Sequence, residues 1–145
     1  MIGEAHNDAA ATGVTAIVFD RPTVASIATL GGAPGLRDTA LLEPEMTVDH
    51  VDAILLSGGS AFGLDAAGGA MAALKERGRG FEVGPVRVPI VPQAILFDLL
   101  NGGDKEWGRI PPYWELGYQA TKAASLDIAL GTAGAGYGAT TATLK

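Results

Sequence analysis

Between Ser60 and Arg77 the chain reads SAFGLDAAGGAMAALKER. At 3.6 residues per turn, the span from Ala61 to Leu74 offers small or apolar side chains to almost every face, so a helix here must be enclosed on most sides. Gly63, Gly68 and Gly69 lie inside it, and each costs a helix about 1 kcal/mol relative to alanine. Neighbouring backbone that approaches closer than a Cβ allows is the compensation that makes such a helix stable. The whole chain repeats the pattern: 21 of its 145 residues are glycine and 48% are hydrophobic, against a usual glycine share of about 7%. Thin, closely stacked layers are expected rather than loose linkers. Ser60 is the predicted N-cap of the helix. Asp65 lies near its positive end, Lys75 and Arg77 near its negative end, and Gly78 is the predicted stop.

Around this helix the chain alternates between strand-like and irregular segments. GVTAIVFD (Gly13 to Asp20) is β-branched and apolar, and predicts a strand. After the break at RPT, the residues from Val24 to Leu30 alternate in part, and GGAPG follows as a turn. Pro44 excludes a long helix in RDTALLEPE. Val51 to Leu56 predicts a buried strand. VRVPIVPQAILFDLL is apolar, but Pro89 and Pro92 confine it to an edge or an extended segment. NGGDKEWGRIPP reads as a loop, Pro112 as the opening of a second helix through YWELGYQATKAASL, and DIALG as a short strand leading into the closing GTAGAGYGATTATLK. The mixture predicts one layered α/β or α+β domain.

Charge and composition exclude several functions. The net charge is −6 and the ten basic residues are scattered, whereas phosphate backbones require clustered Lys and Arg; no nucleic-acid partner is expected. Apolar runs are interrupted well short of the roughly 20 residues of a membrane span. The opening MIGEAHNDAA lacks the basic-then-apolar order of a signal peptide, and a cytoplasmic location is the expectation. Cysteine is absent, and His6 and His50 have no metal-ligand spacing, so neither a metal nor a cofactor is expected. The glycines at 134, 136 and 138 miss the dinucleotide-binding fingerprint, whose third glycine would fall on Ala139. They read instead as a tight turn entering a threonine-rich strand. GGSAF at Gly58 to Phe62 misses the last glycine of a nucleophile elbow, and both histidines precede Ser60. Ser60 is thus an N-cap, or the amides from Gly59 to Ala61 receive an anion or a carbonyl oxygen.

Three blocks taken together, LSGGSAFGLDAAGG, VPIVPQAILFDLLNGGDKEWG and GTAGAGYGATTATLK, resemble the L-aminopeptidase/D-esterase family, which includes β-peptidyl aminopeptidases and nylon-oligomer hydrolases. The resemblance runs from about Gly13 to Lys145. It implies part of a four-layer α/β/β/α sandwich, of the type shared by self-cleaving aminopeptidases and ornithine acetyltransferases. It also implies a precursor that cuts itself before a Ser or Thr. The freed α-amine can serve as general base for its own hydroxyl, which removes the need for a histidine.

By the same resemblance, residues 1–145 form a single partial domain, the N-terminal portion of a longer hydrolase, with the nucleophile beyond Lys145. Lys145 falls where nylon-hydrolase relatives carry a catalytic lysine. Gln93 falls where some aminopeptidases place a glutamate for the substrate's amine, and Phe97 where relatives often carry a tyrosine. Gln93, Phe97, Gly59 and Ser60 are the candidate substrate-binding residues. The implied partners are the remaining C-terminal part of the precursor, further copies in a homo-oligomer, and a small peptide, ester or ω-amino-amide substrate. These 145 residues alone are expected to be inactive. A non-catalytic binding or assembly module, or an acyltransferase of the ornithine-acetyltransferase type, are the alternatives.

Overall fold

The computed structural model describes residues 1–140 of the chain. Among the described residues seven strands and two α-helices form a mixed α/β domain: β1 (Ile2–Asn7), β2 (Thr12–Thr23), β3 (Leu36–Arg37), β4 (Val51–Ser57), α1 (Ala66–Glu76), β5 (Phe81–Val83), β6 (Val86–Val88), β7 (Gln93–Ile95) and α2 (Tyr113–Lys122). Five strands make one sheet in the order β1-β2-β4-β7-β3, and β5 and β6 form a separate hairpin. The β4–β7 pair is parallel and the other neighbours are antiparallel.

Register decides what each face carries. Val14, Ala16 and Val18 oppose Ser57, Leu55 and Ala53 across β2 and β4. Apart from Ser57 these residues belong to the hydrophobic core, together with Ala66, Ala67, Ala70 and Leu74 of α1 and Tyr113, Leu116 and Ala120 of α2. The next residues along each strand face the other way, because strand side chains alternate. Glu4, Thr15, Leu56 and Ala94 therefore form a row across four strands on the face away from the helices. Leu56 is 42% exposed there.

Glycine brings the helical layer together as its abundance predicted. A Cβ on Gly69 would lie 1.8 Å from the Trp114 carbonyl oxygen, and one on Gly117 2.0 Å from that of Ala66, so the two helices touch backbone to backbone. Gly3 of β1 meets the Ala120 carbonyl in the same way, at 1.8 Å. Gly78 ends α1 with φ +67. Its N–H donates to Lys75 O and the Arg79 N–H to Leu74 O, the paired bonds of a glycine-terminated helix.

Several expectations need correction. Residues 60–65 form a 3-10 turn, and regular helix begins at Ala66. Ser60 is not an N-cap: Gly59 occupies that position with φ +86, Ser60 itself has φ +51, and no side chain caps the turn. The Ser60 N–H instead donates to Leu96 O at 3.0 Å. Residues 24–30 form no strand; Val24 and Leu30 are 70% and 85% exposed. DIALG likewise joins no ladder among the described residues. The second helix stops at Lys122 because Ser125 exchanges two backbone hydrogen bonds with Ile2, at 2.9 Å each, and so joins the edge of β1. The proline-rich segment yields β7, which is internal to the sheet. Pro92 precedes its first residue and needs only its carbonyl, which accepts from the Leu55 N–H at 3.1 Å.

Candidate functional site

Parallel pairing places Leu55 opposite Gln93, so Gln93 shares the helix-facing side of the sheet. It is buried, and both ends of its amide are occupied. Oε1 accepts from the Ala67 N–H at 3.0 Å, and Nε2 donates to Gly63 O at 2.5 Å. Gln93 thus stitches β7 to the start of α1 and does not present its amide to the open face. Gly59 is also committed. Its N–H donates to Asp98 Oδ1 at 2.7 Å, and a Cβ there would lie 2.1 Å from the Tyr113 ring. The amides of Gly59 and Ser60 are consumed internally, so they do not receive an external anion. The Ser60 hydroxyl has no hydrogen-bond partner among the described residues. Phe97 is 49% exposed beyond the end of β7. Lys145 lies outside the described residues.

A buried polar junction links these loops. Asp98 is 1% exposed; its Oδ2 accepts from the Thr12 hydroxyl at 2.5 Å while Oδ1 holds Gly59. The Tyr113 hydroxyl donates to Thr12 Oγ1 at 3.3 Å. Burial pushes the Tyr113 phenol up to about 12; the Asp98 charge adds to the rise and the Thr12 hydrogen bond opposes it. Trp107 packs edge-on against Tyr113, with ring centroids 5.7 Å apart, which fixes the DKEWGR loop. Three residues after Asp98, Asn101 Nδ2 donates to Ala11 O at 2.7 Å and to Gly138 O at 3.0 Å. Asp98 and Asn101 therefore bolt the β1–β2 turn, the turn before α1 and the glycine-rich segment together. Sequence reasoning did not single them out. An acid inside the apolar AILFDLL, followed by Asn-Gly-Gly, was the available signal.

The glycine-rich segment lies along β1 and β2. The Ala135 N–H donates to Thr15 Oγ1 at 3.0 Å. The Tyr137 hydroxyl donates to Asp8 Oδ1 at 2.6 Å, and the ring stacks on His6 with centroids 4.3 Å apart. The hydrogen bond to Asp8 raises the Tyr137 phenol above its ordinary range. Gly13 and Gly138 permit the close approach, since a Cβ on either would meet a backbone oxygen at 2.0 or 2.1 Å. Between this segment and the open face of the sheet runs a groove of about 390 Å³, lined among others by Glu4, Thr15, Leu56, Leu96 and Leu130.

The chemistry available here is limited. Among the described residues no three His, Asp or Glu side chains gather to hold a metal ion. His6 is paired with Tyr137 and His50 with Asp49, so neither serves Ser60 as a base. What residues 1–140 supply is a walled groove, a rigid junction and a fixed path for the chain toward residue 141. No described helix is long and apolar enough to cross a membrane.

Known proteins bear on what uses such a groove. The chain is 47% identical over 135 residues to an uncharacterized aminopeptidase of Mycobacterium tuberculosis, and 43% identical over 143 residues to one of Mycobacterium leprae. Each match covers 93% of this chain but only 38% of the relative. The family model described as Peptidase family S58 matches residues 1–145. The chain therefore belongs to peptidase family S58, the L-aminopeptidase/D-esterase family.

Proposed function

We propose that these residues are the N-terminal portion of a self-cleaving N-terminal-nucleophile hydrolase that acts on small peptide, ester or ω-amino-amide bonds. The observation that carries this reading is the open, largely apolar face of the five-stranded sheet, with the groove upon it, in a chain that spans 38% of its aminopeptidase relatives. A second sheet from the rest of the precursor covers that face and completes the four-layer sandwich. A Ser or Thr freed by self-cleavage attacks the scissile carbonyl, and its own α-amine takes the proton. Hydrogen-bond donors from the covering part hold the oxyanion. Lys145 supplies a positive charge near the nucleophile.

Phe97 borders the substrate in this reading, on the exposed side of the β7 exit. Gly59, Ser60 and Gln93 act one step back, by fixing the turn before α1 and the end of β7. The test is the intact mass of the full-length product, followed by assays with an aminoacyl p-nitroanilide and a 6-aminohexanoate oligomer. The expected result is two polypeptides, the second beginning with Ser or Thr, and hydrolysis that disappears when that residue becomes Ala. An unprocessed chain with full activity would refute the reading.

A further inference from the structure

We propose that Glu4 is the anion that receives a substrate's free ammonium group, with the groove beside it taking the aliphatic body of the same aminoacyl unit. The inference rests on the hydrolase reading for its use but not for its geometry. Glu4, Thr15, Leu56 and Ala94 are register partners across β1, β2, β4 and β7, so all four face the groove. Glu4 is the one ionisable residue among the described residues that line it. Its carboxylate makes no ion pair or hydrogen bond with any described residue. The other acids nearby are occupied: Asp8 accepts from Tyr137, and Asp98 is held by Thr12 and Gly59.

The side chain is also placed. Its stem lies over Gly134, where a Cβ would come within 3.1 Å of Glu4 Cγ. The neighbouring Thr15 oxygen is taken by the Ala135 N–H. A half-buried carboxylate with no partner, at one end of an apolar groove, is complementary to a cation attached to a short aliphatic chain. The groove volume of about 390 Å³ falls in the lower part of the ~300–1,000 Å³ range of small-molecule sites, which suits one aminoacyl unit rather than a long peptide. Gln93 does not fill this role, because its amide is spent on Gly63 and Ala67 on the opposite side of the sheet.

The test uses the full-length protein and two amides of equal shape, leucinamide and the neutral 4-methylpentanamide, with binding followed by calorimetry. The wild type is expected to prefer leucinamide at least tenfold. Glu4→Gln should abolish the preference without weakening 4-methylpentanamide, and Glu4→Asp should restore part of it. On leucine p-nitroanilide, Glu4→Gln should raise KM about tenfold, while hydrolysis of the 4-methylpentanoyl ester and the self-cleavage seen by mass stay unchanged. An undiminished leucinamide preference in Glu4→Gln overturns the inference. So does leucinamide binding that is absent in the wild type and arises only in the Lys145→Met variant, because the carboxylate then belongs to the chain's own lysine. A protein that binds leucinamide through Glu4 but neither self-cleaves nor hydrolyses refutes the proposed function and leaves this inference standing.

Discussion

Adjacent glycines on α1 should respond to the same substitution with opposite signs. Gly69→Ala places a Cβ 1.8 Å from Trp114 O and 2.7 Å from Tyr118 N, both backbone atoms of α2. A normal Cβ–oxygen contact is about 3.3 Å, so the helices must part by roughly 1.5 Å. A gap of even ~0.5–1 Å forfeits a quarter to a half of each dispersion contact, and overpacking of this kind costs about 1–3 kcal/mol or more. The gain in helix propensity returns only about 1 kcal/mol. Net destabilisation of about 2 kcal/mol is expected, because α2 is also pinned on its far side by Gly3 against Ala120 O. Gly68→Ala, one residue earlier, meets side chains rather than backbone: the Trp114 ring at 3.1 and 3.3 Å, and Arg37 Nη1 at an ordinary contact distance of 3.9 Å. Trp114 is 45% exposed, and its ring, stacked on Tyr118, has to yield by only a few tenths of an ångström. The propensity term then dominates, and a gain of up to ~1 kcal/mol is expected. Urea unfolding followed by circular dichroism, with both variants in the same polypeptide, reads the difference. Gly69→Ala as stable as Gly68→Ala would refute the backbone-contact account of this chain's glycine content.

Three further outcomes follow from the buried junction and its neighbours. The Tyr113 phenol is raised from 10.0 to about 12, so its stabilising share is complete below pH 10 and is lost as pH climbs toward 12. The stability advantage of wild type over Tyr113→Phe should therefore shrink by about 1.4 kcal/mol per pH unit across that window, and urea midpoints taken below pH 10 and then across the window check the slope. Gln93→Glu replaces the donor to Gly63 O with a second acceptor. It should cost about 3 kcal/mol at neutral pH and recover in acid as the new carboxyl is protonated, measured by thermal melting at two pH values. Asn101→Asp removes both donated bonds, to Ala11 O and Gly138 O. Hydrogen exchange should quicken in residues 134–139 while the core of α1 is unchanged.

Sequence reading reached the elements whose signals are local. The predicted strand from Gly13 to Asp20 lies inside β2, that from Val51 to Leu56 inside β4, and Gly78 ends its helix as expected. β1 was not legible. IGEAHN is short and half polar, and its hairpin turn places Ala11, not a glycine, at positive φ. The entry to α1 was misread for a related reason. Ser60 has the residue type of a cap, but the Gly59 and Ser60 N–H groups donate to Asp98 and Leu96 and bend the chain into a left-handed pair there. Asp98 itself belongs to an otherwise apolar run. Its role depends on Thr12, which lies 86 residues away along the chain.

The face on which a strand residue lies is the least legible quantity of all, because a slip of one residue exchanges the two sides. β7 is flanked by apolar segments, so no alternation shows whether Gln93 or Ala94 faces the groove. Only the pairing of Leu55 with Gln93 decides it. The same register puts a carboxylate, Glu4, at the end of a row whose other members, Thr15, Leu56 and Ala94, carry no charge. That combination constrains whatever covers the sheet. A layer that packed flat upon Leu56 and Leu130 would bury Glu4 as well. Stranding an unpaired carboxylate there would cost several kcal/mol, enough to offset the burial of two or three leucine-sized side chains at about 1.5–3 kcal/mol each. Any layer that covers this face must therefore leave a cavity above Glu4 or bring a cation to it. In an enzyme that takes substrates with a free amine, a cavity there leaves the substrate itself to supply the missing charge.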